Sequence, residues 1–447
     1  MLRRPLLAAA AAIGVVCDSL ASEVAVTWLT VPQRDERRAR SSAAPASLSG
    51  DGRYVAFSSY ARLSAADVDS LADIYVLDRS TTTVTLESAL VEGQPVNSDC
   101  GTPSISADGR YLTFTTVVVA DDPDRTVTDI VLRDRTADRS RLITIAPGGA
   151  RSNGWSSQPA VSANANAIVF TSAATNLLPE PDVNGPHPDI YRFDAGTGAI
   201  ERISVDSRGA QQQGGSLMSG VSGDGRYVVF SSTAVLSSPR HSSGRPPSQG
   251  QYPSIYLRDT RTRETTLVGG TSEPYNGGST MAVISTDGHT VAFASRATNL
   301  VARDRNKASD VFLYDVDTRV VTLVSRGIGG GTANGMSLNP AISGDGRFVA
   351  FQSDASDMAC GRNCRSGMDD INLLHDVFIF DRVTGQIACV SLDVNGTWLE
   401  ESGAPAIDAT GAVVAFPSRH PISSLDVLND FDLFVRITPA AGKSRVP

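Results

Sequence analysis

Aromatic residues make up only 6% of this 447-residue chain, and cysteine and histidine number five each. Against so few aromatics stand 39 glycines and abundant serine and threonine. That balance argues against a helical bundle, because small, β-branched and turn-forming residues suit short strands. Positive charge is also short: the net charge is −9, which withholds the basic surface that nucleic acid or an anionic membrane would need. The histidines, His187, His241, His289, His375 and His420, are scattered and share no ligand spacing. Cys360-x3-Cys364 with His375 lacks a fourth ligand, which argues against zinc. No G-x-S-x-G elbow occurs, and no segment is left to house a hydrolase domain, so the serine-peptidase reading fails. Beyond the first residues, no apolar run approaches the ~20 that span a bilayer.

What is present begins with an export signal. Arg3 and Arg4 form a basic end, Pro5 to Val16 is apolar, and Ser19-Leu20-Ala21 offers a small-x-small cleavage site before Ser22. Residues 1–21 therefore read as a signal peptide, and residues 22–447 as a periplasmic or secreted chain. A lipoprotein signal at Cys17 is disfavoured by the bulky Val16 before it. Of the four cysteines left, Cys360 and Cys364 share one long loop and are expected to form a local disulfide. Cys100 and Cys389 are expected to stay reduced.

One motif dominates the remainder. Ser49-Gly50-Asp51-Gly52-Arg53-Tyr54-Val55-Ala56-Phe57-Ser58-Ser59 recurs from Ser106, Ser222, Ser285 and Ser343, with degenerate copies at Ser162 and Asp408. The matching phenylalanines, Phe57, Phe114, Phe170, Phe230, Phe293, Phe351 and Phe416, lie 57, 56, 60, 63, 58 and 65 residues apart. Seven copies imply seven units. In each unit a short strand meets Asp-Gly, a strong hairpin signal, and a second strand follows. After a variable loop come a third run, such as Asp310 to Asp315, and a fourth, such as Val321 to Ser325. Four short antiparallel strands per repeat, arranged radially, make a propeller blade.

The expected fold is thus all-β, a seven-bladed β-propeller whose blades start near residues 46, 103, 159, 219, 282, 340 and 405. Unit seven lacks a fourth strand. Residues 23–30, unpartnered before unit one, are expected to supply it and close the ring, removing two exposed sheet edges. The repeated Ser-x-Asp-Gly-Arg-Tyr-Val-Ala-Phe followed by Asp-Ile-Tyr-x-x-Asp resembles the WD-like repeats of the TolB-type propeller family. That resemblance covers about residues 24–438 and implies binding of other proteins in the cell envelope. TolB itself has six blades and an additional amino-terminal domain, whereas this chain shows seven units and no room for that domain before residue 24.

In such a blade the turns joining strands one to two and three to four share one face and are short here. The loops joining two to three, and blade to blade, lie on the other face and are long: Ser237 to Pro253, Ala355 to His375, and Gly327 to Asn339. Variable loops on a rigid scaffold are where binding residues collect. Thr102, Gln158, Met218, Met281 and Asn339, which enter the first strands, are expected to ring the channel mouth on this side. Acidic pairs recur there: Asp67-x-Asp69 with Asp73, Asp122-x-Asp124 with Asp129, Asp182-x-Asn184 with Asp189, and Asp304-x-Asn306 with Asp310. Alternate oxygen ligands suit Ca²⁺, although the EF-hand glycine and terminal glutamate are missing. The structural alternative is that the aspartates opening the third strands accept hydrogen bonds from loop amides. Taken together, the sequence points to a monomeric, non-catalytic binding platform for an envelope or extracellular protein or glycan. A glycan-active hydrolase or lyase at the channel mouth is the alternative.

Overall fold

Local chemistry is plainest at the Ser-x-Asp-Gly turn. In the first copy Ser49 Oγ donates to Asp51 Oδ1 at 2.7 Å, and the same oxygen accepts the Arg53 N–H at 2.9 Å. Gly52 takes φ +67°, a conformation glycine adopts without steric cost. The computed structural model describes residues 26–28, 45–88, 90–91, 94–96, 98–117, 127–237, 252–269, 275–302, 304, 306–358, 374–392, 398–420 and 432–438. Asp108, Asp224 and Asp345 repeat the same geometry.

Each turn joins the two inner strands of a four-stranded antiparallel sheet. Blade five runs Ser279–Ile284, Thr290–Ser295, Asp310–Asp315 and Val321–Leu323, paired in that order. Six blades follow this plan. The seventh is built from both ends of the chain: Ala406–Ile407, Val413–Ser418 and Asp432–Ile437, with Val26–Trp28 as its outermost strand. Val26 lies opposite Arg436 and Trp28 opposite Phe434, so the amino-terminal strand closes the ring as the sequence frame required. A small hairpin absent from the repeat pattern, Leu90–Val91 with Gln94–Pro95, follows blade one.

The strands read as continuous apolar runs because both of their faces are buried. Phe312 and Tyr314 pack with Val229, Ile255 and Leu257 of blade four. Val311 and Leu313, one residue out of phase, pack with Val349, Phe351 and Phe378 of blade six. The last such interface joins Val55, Phe57, Tyr75 and Leu77 of blade one to Val413, Ala415, Leu433 and Val435 of blade seven. Six of the seven repeated phenylalanines stack on an aromatic partner across the strand pair, with centroids 5.7 Å apart for Phe293 and Phe312 and 6.0 Å for Phe57 and Tyr75, whereas Phe114 lies opposite Val131.

A second device ties the blades together. A residue of each turn sends a backbone hydrogen bond to the next blade: Gly50 to Ala107, Ala107 to Ala163, Ala163 to Gly223, and Gly223 to Thr286. Asp287 then donates to Gly344, Gly344 to Ala409, and Ala409 back to Gly50, completing the circle at 2.8–3.2 Å. At Gly223 the approach leaves no room for a side chain: a Cβ there would lie 2.4 Å from Thr286 Cγ2. Among the described residues no helix is long and apolar enough to cross a membrane. Residues 1–21 lie outside them.

Candidate binding face and candidate cation sites

The short-turn face satisfies itself. Arg53 grips Asp78 with two hydrogen bonds, Nε to Oδ1 at 3.0 Å and Nη2 to Oδ2 at 2.6 Å. Arg110 with Asp134, Arg226 with Asp259 and Arg347 with Asp381 do the same. Each guanidinium also lies over the ring of the following residue, 4.5 Å from the centroid for Tyr227 and 4.8 Å for Tyr54. The motif's Arg-Tyr and terminal Asp are therefore one structural unit.

The opposite face is built differently. The Gly/Asn/Ser-rich connections, expected as variable binding loops, are clasped to the scaffold. Asn153 Nδ2 donates to Thr175 Oγ1 at 2.8 Å, and its Oδ1 accepts the Thr175 N–H at 2.8 Å. Asn276 with Thr298 and Asn334 with Ser356 repeat this clasp. The glycine after each asparagine is there because backbones touch: a Cβ on Gly277 would sit 2.5 Å from the Arg296 carbonyl oxygen. Val68, Trp155, Val183, Leu217, Tyr252, Ile328 and Leu374 are exposed on this side, whereas Val320, Val383 and Ile437 are the large apolar side chains exposed at the other, among the described residues.

The five residues expected to ring the channel mouth share one conformation. Thr102, Gln158, Met218, Met281 and Asn339 have φ between +47° and +56°. Each sits where the inner strand slips register against its neighbour, a bulge that breaks the ladder and re-aims a half-buried side chain. Gln158 links blades by accepting the Met218 N–H at 3.3 Å. Asn339 Nδ2 donates to Gln352 Oε1 at 2.7 Å.

The acidic positions resolve into a repeated structural role and a remainder. In five blades the aspartate that opens the third strand accepts a hydrogen bond from a hydroxyl just past the fourth: Asp73 from Ser88, Asp129 from Thr144, Asp189 from Ser204, Asp310 from Ser325 and Asp376 from Ser391, at 2.5–2.9 Å. That partner is in every case a side chain fifteen residues downstream. The asparagines of the acidic pairs act as tethers. Asn184 Nδ2 donates to the Gly214 carbonyl at 3.0 Å and Asn306 Nδ2 to that of Ala333 at 2.7 Å, while Asn306 Oδ1 accepts the Ala308 N–H at 2.9 Å.

Among the described residues, three blades carry further carboxylates beside this aspartate. In blade one Asp67, Asp69 and Asp73 offer oxygens that all lie within 4.8 Å of one another. Asp67 Oδ2 accepts the Tyr75 hydroxyl at 2.6 Å. Burial, followed by the charges of Asp67 and Asp69, pushes the Asp73 carboxyl up. In blade three Asp182 and Asp189 meet Arg202 at 3.5 and 3.4 Å. Gln211 Nε2 adds hydrogen bonds to both, at 2.9 and 2.6 Å. Burial nevertheless raises Asp189 to about 6. In blade five burial pushes Asp310 to about 7 and raises Asp304. Asp310 Oδ2 and both Asp304 oxygens are buried without a hydrogen-bond partner. Arg202 and the strand-four hydroxyls escape a reading based on local spacing. The constant interval of fifteen residues from aspartate to hydroxyl was the available signal.

Cys100 and Cys389 are buried free thiols in different blades. Burial raises both, Cys100 to about 12. Cys360, Cys364, Asp122 and Asp124 lie outside the described residues.

No protein-family model and no curated protein matches the sequence. Solved structures do match. An oligogalacturonate lyase from Vibrio parahaemolyticus is 13% identical, with a TM-score of 0.53 over 94% of this chain and 95% of that one. An oligogalacturonate lyase in complex with manganese is 15% identical, with a TM-score of 0.51 over 94% of both chains. An acylaminoacyl peptidase is 11% identical with a TM-score of 0.52, and this chain's match covers 90% of its own length and 51% of the peptidase. TolB from Acinetobacter baumannii is also matched, at 16% identity and a TM-score of 0.38 over 86% of this chain and 80% of that one. At such identities the likeness to the lyases and the peptidase establishes a shared propeller fold.

Proposed function

We propose that this protein is an exported, monomeric and non-catalytic binding platform that engages a protein or glycan of the cell envelope or exterior through its long-loop face. The observation that carries this reading is the asymmetry of exposed apolar side chains. Val68, Trp155, Val183, Leu217, Tyr252, Ile328 and Leu374 share the long-loop side, and apolar groups gathered on one rim of a rigid scaffold mark an interaction surface. The bulged positions Thr102, Gln158, Met218, Met281 and Asn339 add uncharged side chains that suit contact more than acid–base chemistry. Backbone strain held at one repeated place fits a ligand-facing role.

Capture from an envelope extract and a glycan array tests the reading. The paired variants Val183→Lys with Ile328→Lys, on the long-loop side, should lose saturable binding. Val320→Lys with Val383→Lys, on the short-turn side, should retain it. Equal retention in both pairs would sink the assignment of the face. Turnover of oligogalacturonate or another glycan would instead favour a lyase or hydrolase at the channel mouth.

A further inference from the structure

Where the third strand begins, blade three carries a cation paired to its carboxylates, and blades one and five show none among the described residues. In blade three Arg202 lies opposite Tyr191 on the fourth strand. From there its Nε reaches Asp189 Oδ2 at 3.4 Å and its Nη2 reaches Asp182 Oδ2 at 3.5 Å, over the Tyr191 ring at 5.6 Å. The same strand register places Leu86 opposite Tyr75 in blade one and Leu323 opposite Phe312 in blade five. Leucine brings no charge, yet the carboxylates remain. Asp310 is fully buried, its Oδ2 has no hydrogen-bond partner, and neither has either oxygen of Asp304. In blade one, three carboxylate oxygens converge within 4.8 Å. A buried carboxylate without a partner is costly unless a cation compensates it.

We propose that blades one and five each bind a calcium ion at this position, through Asp67, Asp69 and Asp73 in blade one and through Asp304 and Asp310 in blade five. The ion takes the place that the Arg202 guanidinium fills in blade three. All-oxygen ligation selects a hard cation, and calcium accepts irregular sets completed by water and backbone carbonyls. Transition metals, which favour imidazole or thiolate, are poorly served. Bound calcium would pin the loop from strand two to strand three against the sheet. That loop carries Val68, which is 81% exposed between Asp67 and Asp69, so the ion would order part of the proposed binding face.

The test uses the full mature chain freed of metal with chelator and titrated with calcium chloride, read by calorimetry and by melting temperature. The expected result is two equivalents bound and a higher melting temperature. Leu323→Arg supplies the built-in cation of blade three and should remove one equivalent while leaving the chelator-treated protein at least as stable. Leu86→Arg should remove the other. Asp304→Asn and Asp69→Asn, which are nearly isosteric, give the same readout if an introduced arginine packs poorly, each weakening its own site at least tenfold. No heat and no melting shift in the wild-type chain would overturn the proposal. So would two equivalents persisting in both asparagine variants.

Discussion

Ala409 donates its backbone N–H to the carbonyl of Gly50 at 3.1 Å, bonding the turn of the last blade to that of the first. This contact and the pairing of Val26–Trp28 with Asp432–Ile437 close the same ring at its inner and outer radii. They differ in what they protect. The inner bond completes a circle of seven, whereas the outer strand covers a sheet edge. Deleting residues 24–30 should therefore leave Asp432–Ile437 as an exposed edge, a template for pairing with other chains. The expected outcome is a lower melting temperature and concentration-dependent aggregation, followed by light scattering. A truncated protein that stays monomeric with unchanged melting would contradict closure by this strand.

The clasps of the long-loop face make a sharper mutational prediction. A Cβ at Gly277 would meet the Arg296 carbonyl oxygen at 2.5 Å, while at Gly329 it would meet nothing within 4 Å. Gly277→Ala forces backbone to move and should cost ~1–3 kcal/mol. Gly329→Ala should stay within about 0.5 kcal/mol of wild type. Denaturant unfolding of the two variants side by side checks the contrast.

These two glycines mark the boundary of what the sequence discloses. The Ser-x-Asp-Gly turn is legible because its chemistry is local: Asp51 bonds Ser49 and Arg53, two residues either side. Repetition of that turn yields blade number, and the unpaired strand at the amino terminus yields closure. Asn276 and Gly277, by contrast, read as loop composition, because their partners Thr298 and Arg296 lie about twenty residues on across a strand pair. The acidic spacing of Asp182 and Asp189 is visible, but their neutralisation by Arg202 depends on register with Tyr191. The bulge at Met218 and Met281 carries no glycine to announce its positive φ.

Acid titration should report the short-turn pairs. The Arg110 hydrogen bonds hold Asp134 down to about 2, below its usual value of 3.8. A carboxyl lowered in the folded state contributes stability above its unfolded pKa and loses it as pH falls through the folded one. The wild-type chain should therefore lose this contribution between pH 4 and about 2. Replacing Arg53, Arg110, Arg226 and Arg347 together by glutamine should remove it, flattening the fall of melting temperature over that range. Parallel curves for the two proteins would show that the pairs add nothing in solution, a known outcome for exposed ion pairs.

Arg202→Leu turns blade three into a copy of blades one and five. Arg202 is itself buried against Asp182 and Asp189, and removing one partner of a buried ion pair typically costs ~3–5 kcal/mol. Gln211 would remain hydrogen-bonded to both carboxylates, so the lower end of that range is expected. The sign of the pH dependence follows from Asp189, already raised by burial to about 6 with Arg202 beside it. A carboxyl raised in the folded state penalises folding as pH climbs from its unfolded value through its folded one, and the penalty vanishes when both states are protonated. The deficit of the variant should thus be small near pH 4 and grow as pH rises through about 6 and beyond. If the empty guanidinium position accepts calcium as proposed for its two counterparts, millimolar calcium should restore part of the lost stability at neutral pH and none at pH 4. A deficit equal at both pH values and indifferent to calcium would mean that Arg202 acts by packing on Tyr191 rather than by charge.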